Sequence, residues 1–132
     1  MKESIKITEL FPVSAKRLFD AWLNSIEHSN FTGVKANIKP NVGSKFTAGD
    51  GYISGTNLAL QPYGRIVQSW RSTDFPDGAI NSKLEILFEK ANSGTRVTIL
   101  HTSIPDGQAK DYEKGWKNHY FKPMKKYFKK HK

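Results

Sequence analysis

The sequence contains no cysteine, which excludes disulfide bonds, thiol nucleophiles and thiolate metal sites. No run of apolar residues approaches the roughly 18 that a membrane span needs, so we expect no transmembrane segment and no membrane partner. The first residues, MKESIKITELF, alternate polar and apolar side chains and lack the apolar core of a secretory signal. These absences favour a cytoplasmic protein.

Acidic residues are scarce, with 12 Asp and Glu against 21 Lys and Arg, giving a net charge of +9. Residues 1–109 carry 12 basic and 10 acidic side chains (+2), whereas residues 110–132 carry nine Lys and two acids (+7). A nucleic-acid or anionic surface is one interpretation of this excess, and the solvated face of a terminal helix is the other. We favour the helix and expect an acidic protein partner, with no nucleic acid. The candidate partner-surface residues are Lys117, Lys125, Lys126 and Lys129.

The N-terminal third predicts one strand followed by two helices. Residues 4–11 alternate with period two, as a strand does. Ser14 is a good N-cap for a helix through Asn24, which has an apolar stripe at three- and four-residue spacing. A second short helix is expected over residues 26–31.

In the middle of the chain, the spacing of turns is typical of an antiparallel meander. Turn clusters rich in Gly, Asn and Asp separate runs of β-favouring residues. The predicted strands are residues 45–48, 52–61, 65–72, 81–89 and 96–102. Apolar residues fall on one face of these strands, as in a sheet covered on one side only.

Residues 108–130 return to helical spacing. An aromatic-rich stripe is formed by Tyr112, Trp116, Tyr120, Met124 and Tyr127. Pro123 has no N–H group and should kink or weaken this helix near His119. The length of 132 residues fits a single domain over 1–132.

This order of elements predicts an α+β fold. We expect a curved antiparallel sheet of about six to seven strands wrapped around the long C-terminal helix, with two short helices after the first strand. Any cavity would lie between the sheet and the helix.

Motifs for catalysis or cofactor binding are few. The four histidines have no metal-ligand spacing, so we expect no metal. Gly49, Gly51 and Gly55 precede a strand and therefore favour a hairpin over a phosphate loop, so we expect no cofactor. His101 shares the inward face with Val97 and could act as an acid or base, although a buried histidine held by hydrogen bonds is the more common case.

The inward-facing aromatic residues can build either a packed core or an apolar ligand pocket. Periodicity favours the core without excluding the pocket. The candidate cavity residues are Trp70, Leu84, Phe88, Ile99, His101, Trp116 and Tyr120.

Eight short segments, taken in their order along the chain, form a series that resembles a known family. They are Gly43-Ser-Lys-Phe46, Gly51-Tyr-Ile-Ser-Gly55, Leu60-Gln-Pro62, Arg65-Ile-Val-Gln-Ser-Trp-Arg71, Phe75-Pro-Asp-Gly78, Gly94-Thr-Arg-Val-Thr98, Ile104-Pro105 and Gly115-Trp-Lys-Asn-His-Tyr120. Together they resemble the C-terminal domain of the activators of heat-shock protein 90 ATPase and its stand-alone homologues, from about residue 11 to residue 128.

The resemblance implies the helix-grip fold of the START-like (SRPBCC) superfamily. It implies a non-enzymatic binding module, a co-chaperone or stress-response accessory protein with a heat-shock protein 90 type chaperone as its partner. Because this domain is the second of two in eukaryotic activators, it would have to bind alone here. Other superfamily members hold ligands in the cavity, so a carrier or sensor of a small apolar molecule is the alternative. A small cavity enzyme with His101 as its base is the second alternative.

The family's signature positions imply structural roles in this chain. They are Gly55, Trp70, Arg71, Gly115 and Trp116. The resemblance assigns them to turns, core aromatic positions and a close approach of helix to sheet.

Overall fold

The strands predicted from alternation form one antiparallel sheet. The computed structural model describes residues 2–132. The strands are β1 (Glu3–Phe11), β2 (Lys45–Ala48), β3 (Ile53–Gln61), β4 (Arg65–Ser72), β5 (Ser82–Ala91) and β6 (Gly94–Ile104). They lie in the order β1-β6-β5-β4-β3-β2, and each pairs with its neighbours antiparallel. The prediction of a six- to seven-stranded antiparallel sheet is confirmed, with six strands.

The inner face of the sheet follows directly from the period of two. In β5, Leu84 and Ile86 are buried while Lys83 is exposed. Their partners across β6 include His101 and Ile99, which are also fully buried. Apolar side chains therefore line the face that the helices cover.

Two short helices follow β1, as predicted. They are α1 (Ala15–Trp22) and α2 (Ser25–Thr32). The hydroxyl oxygen of Ser14 accepts a hydrogen bond from the N–H of Arg17 at 3.1 Å, which caps the free N–H groups of the first turn. The helix pair covers one end of the sheet.

The C-terminal helix comprises α3 (Ala109–Gly115), a π-helical segment (Trp116–Phe121) and α4 (Lys122–Lys130). At 1.5 Å per residue it is about 33 Å long, enough to cross the sheet. The weakening predicted from Pro123 takes the form of the wider π hydrogen-bond pattern, in which the Lys122 N–H donates to the Lys117 carbonyl. Phe121 and Phe128 pack edge-on against Phe11 of β1, with ring centroids 5.8 and 6.5 Å apart.

An ion pair fastens the end of α4 to the two short helices. Two nitrogens of Arg17 each donate to one carboxylate oxygen of Glu27 at 2.7 Å. The Tyr127 hydroxyl donates to the same carboxylate at 2.7 Å, and the Arg17 Nε donates to the His131 carbonyl at 3.1 Å. Hydrogen bonds from Arg17 hold the pKa of Glu27 below its usual value.

Replacing this carboxylate should destabilise the fold. We expect Glu27→Gln to lower the free energy of unfolding at pH 7 by about 1–2 kcal/mol, because the hydrogen bonds lose their charged acceptor. The contribution is present above the ordinary carboxyl pKa and is lost as the pH falls through the lowered value of the folded state. Urea titration measures the difference. The exposed Glu113, 3.4 Å from Lys117, gives the control Glu113→Gln, with a change below about 0.5 kcal/mol. Equal effects of the two substitutions would contradict this assignment.

Candidate functional site

A cavity of about 270 Å³ lies between the C-terminal helix and the sheet. Its mouth is formed by exposed residues, Val34 after α2, Tyr52 before β3 and His119 of the π-helical segment. The wall is completed by Thr32, Gly49, Ile53, Trp70, Tyr112, Gly115, Trp116 and Tyr120. The site therefore draws on a helix end, two strands and the C-terminal helix.

The structure places three of the seven predicted cavity residues on this wall. They are Trp70 of β4 and the two π-segment aromatics Trp116 and Tyr120. The four that do not line it are Leu84, Phe88, Ile99 and His101, which lie in the closed core. The reason is local packing: further along the sheet, Phe19 of α1 fills the space over Phe88, with ring centroids 5.9 Å apart.

His101 holds Trp116 in place. The indole N–H of Trp116 donates to Nδ1 of His101 at 3.2 Å. Nε2 lies 2.8 Å from the Ser82 hydroxyl, which itself donates to the Trp70 carbonyl, so His101 is the donor to Ser82. Burial lowers the pKa of His101 to about 3. With both nitrogens engaged and no exposed surface, His101 does not fit the general-base role considered above.

A second buried histidine, which the sequence analysis did not single out, holds Tyr120. The Tyr120 hydroxyl lies 2.7 Å from Nε2 of His28, and Nδ1 lies 2.8 Å from the Trp22 carbonyl. A carbonyl only accepts, so His28 donates through Nδ1 and accepts from Tyr120 through Nε2. Burial lowers the pKa of His28 to about 4. Its spacing in α2 carries no signal of this contact, which joins positions 92 residues apart.

The other lining hydroxyls also bond away from the cavity. The Tyr52 hydroxyl donates to Asp74 at 2.6 Å, and burial together with this bond raises the pKa of Tyr52 to about 12. The Tyr112 hydroxyl lies 2.6 Å from the hydroxyl of Ser72 and 2.6 Å from the side-chain carbonyl of Gln108. Because these polar ends are already paired, the aromatic residues offer the cavity mainly their ring carbons.

The predicted partner-surface lysines do not form one patch. Lys117 pairs with Glu113 at 3.4 Å, and Lys125 pairs with Glu9 of β1 at 3.2 Å. Lys126 and Lys129 instead line a groove of about 630 Å³ between the end of α2 and α4. We call it the basic groove; its lining residues are Asn30, Phe31, Thr32, Gly33, Pro123, Lys126, Tyr127, Lys129, Lys130 and His131.

The basic groove has a one-sided charge. Its lining contains Lys126, Lys129 and Lys130 and no carboxylate. Within residues 2–132, none of these three lysines forms an ion pair. The groove is thus one part of the basic helix whose charge is not already neutralised by an ion pair.

Neither a metal-binding cluster nor a membrane-spanning helix occurs in the described part of the chain. Over residues 2–132, no group of three or more His, Asp or Glu side chains is arranged to hold a metal ion. Nor does any helix in that range combine the length and apolar character needed to cross a bilayer.

Comparison with known proteins assigns the family. Residues 12–129 match the family described as Activator of Hsp90 ATPase homolog 1-like protein. The chain belongs to this family. A curated relative, the activator of 90 kDa heat shock protein ATPase homolog of Dictyostelium discoideum, is 30% identical over 127 residues, which are 96% of this chain and 33% of that protein.

Solved structures of the Hsp90 activator type have the same fold. An HSP90 activator from Plasmodium falciparum superposes with a TM-score of 0.83 at 23% identity, over 92% of both chains. The Aha1 dimer from Colwellia psychrerythraea gives a TM-score of 0.79 at 12% identity, over 96% of both chains. These comparisons confirm the predicted helix-grip, START-like fold. The chain spans about a third of the length of the curated relatives that it matches.

Proposed function

We propose that this chain is a non-enzymatic, co-chaperone-like binding module that acts on a heat-shock protein 90 type chaperone in the cytoplasm. The observation that carries the proposal is the family match over residues 12–129, together with the 30% identical relative that is named for this activity. In this proposal, residues 1–132 act as one START-like binding domain.

The basic groove is the contact surface that the charge distribution supports best. Its three lysines have no carboxylate partner within residues 2–132, and its floor includes Phe31, which is buried beneath them. An acidic surface of the chaperone would gain ion pairs at the rim and apolar contact at the floor. The lysines at positions 117 and 125 already have partners in this chain.

Charge reversal in the groove tests this contact. We expect the double variant Lys126→Glu with Lys129→Glu to weaken binding to the chaperone by about tenfold or more, because attraction becomes repulsion at the contact. The readout is the dissociation constant from biolayer interferometry. A control variant, Lys45→Glu with Lys83→Glu, makes the same change in net charge at exposed positions outside the groove. If both variants lose affinity equally, net charge and not the groove governs binding.

The cavity favours a second candidate function, a carrier or sensor of small apolar molecules. It is a preformed space of about 270 Å³ whose wall is mostly aromatic, as in many small-molecule sites. Thermal-shift screening with apolar compounds tests this function. A ligand present at a hundred times its dissociation constant should stabilise the fold by about 2.7 kcal/mol. If no compound of any apolar class shifts the melting temperature, this function is excluded.

A further inference from the structure

Gly115 occupies a position in the cavity wall that does not require glycine. Its φ of −61° and ψ of −46° are helical. A Cβ added there would meet only Cδ2 of His119, at 4.0 Å, so no close approach of helix to sheet explains the residue. Glycine is a poor helix former because it loses more backbone entropy than other residues. What the missing side chain does provide is open space on the cavity wall.

That space is enclosed by rings set at steep angles to one another. The rings of Trp116 and Tyr120 lie 4.8 Å apart at 57°, and those of Trp70 and Tyr112 lie 4.9 Å apart at 76°. Trp70 and Trp116 face each other from sheet and helix at 5.9 Å and 49°. Such walls allow stacked and edge-on contacts with a flat aromatic guest from several sides at once.

Few polar groups remain to interact with a guest. The hydroxyls of the lining tyrosines and the Trp116 N–H are engaged in the hydrogen bonds described above. In the described part of the chain, the side chains of Trp70 and His119 are the lining aromatics that form no hydrogen bond. A guest with one hydroxyl or carbonyl group can therefore be satisfied, whereas a guest with several would leave some of them unpaired.

The volume sets the size of the guest. An apolar cavity of roughly 150 Å³ accommodates benzene. The present cavity, at about 270 Å³, is nearly twice as large. Two fused rings match this volume.

We propose that the cavity binds a neutral two-ring aromatic molecule with a single hydroxyl or carbonyl group, and that Gly115 keeps the space for it open. The proposal rests on the carrier function proposed above and adds the class of ligand and the residue that leaves room for that ligand.

The test is a calorimetric titration with two probes, 2-naphthol and 1-octanol, which share one hydroxyl and differ in ring content. We expect 2-naphthol to bind about tenfold more tightly, because ring contacts add to the apolar burial that both probes gain. Gly115→Leu should reduce the affinity for 2-naphthol by about tenfold or more, because its side chain fills the cavity. The matched control Lys114→Leu places the same side chain at the neighbouring exposed position and should leave the affinity unchanged.

Each outcome supports or overturns the proposal. Equal or tighter binding of 1-octanol refutes the aromatic class while leaving a carrier of apolar molecules intact. If neither probe binds, the proposal fails, and the thermal-shift screen with other apolar compounds then decides whether the carrier function fails with it. Undiminished binding of 2-naphthol to a folded Gly115→Leu variant places the site elsewhere. Should Gly115→Leu not fold, Gly115→Ala takes its place, and a lack of any loss of affinity in that variant overturns the role of Gly115.

Discussion

Lowering the pH from 6.5 to 4 is expected to destabilise the fold by about 3 kcal/mol for each of two buried histidines. Burial lowers the pKa of His28 to about 4 and that of His101 to about 3. Above pH 6.5 neither the folded nor the unfolded chain protonates these rings, so they add no pH dependence there. Below it, the unfolded chain binds two protons that the folded chain does not, and unfolding is favoured.

Urea titrations at intervals of pH measure this effect. The two losses together, about 6 kcal/mol, approach the total stability of an ordinary domain, so unfolding near pH 4 is expected. Removing one of the protonation sites by His101→Gln should lower stability at pH 7 yet flatten the pH dependence by about 1.4 kcal/mol per pH unit. His119→Gln is the control for the substitution itself, because it makes the same change at an exposed side chain. A stability that is flat between pH 6.5 and 4 would show that the two rings are not buried in their neutral forms.

The same substitution at two glycines is expected to have opposite effects. A Cβ on Gly55 of β3 would overlap the backbone carbonyl oxygen of Ser69 and lie 2.7 Å from the Phe46 ring. The strands would have to move apart, so Gly55→Ala should cost about 3 kcal/mol. Gly115→Ala has open space and a helical backbone, and should stabilise the fold by about 0.5–1 kcal/mol.

Thermal unfolding of the two variants beside the unmodified protein separates these cases. Gly55→Ala should lower the melting temperature by roughly 10 °C or more, and Gly115→Ala should raise it by a few degrees, about 2–5 °C. A destabilised Gly115→Ala variant would mean that this glycine is held by packing, as the family resemblance implied. A stable Gly55→Ala variant would contradict the close strand approach at that position.

Most of the fold could be predicted from the sequence because one face of the sheet is exposed to solvent and the other is buried. In β5, Leu84, Ile86 and Phe88 recur at every second position, and this period of two determines which face is buried. The start of α1 could likewise be predicted from Ser14, and its buried face from the spacing of the apolar residues. Periodicity predicts only that a residue faces inward. Residues of the packed core and residues of the cavity wall both face inward, so periodicity does not distinguish them.

The candidate site was less predictable, because its outline depends on contacts between distant elements. Phe88 and Trp70 both face inward. Phe19 fills the space over Phe88, whereas Trp70 borders the cavity. The pairing of His28 with Tyr120 joins α2 to the C-terminal helix, and no local pattern in either segment indicates it. Pro123 did indicate an irregular helix, though not that the irregular turn would supply three residues of the cavity wall.

The ATPase rate of a heat-shock protein 90 chaperone, measured with increasing amounts of this chain, tests the central claim most directly. The proposal predicts a saturable rise in rate that is lost in the Lys126→Glu, Lys129→Glu variant and retained in the Lys45→Glu, Lys83→Glu control. An unchanged rate at concentrations up to tens of micromolar, with no binding detected by interferometry, would contradict it.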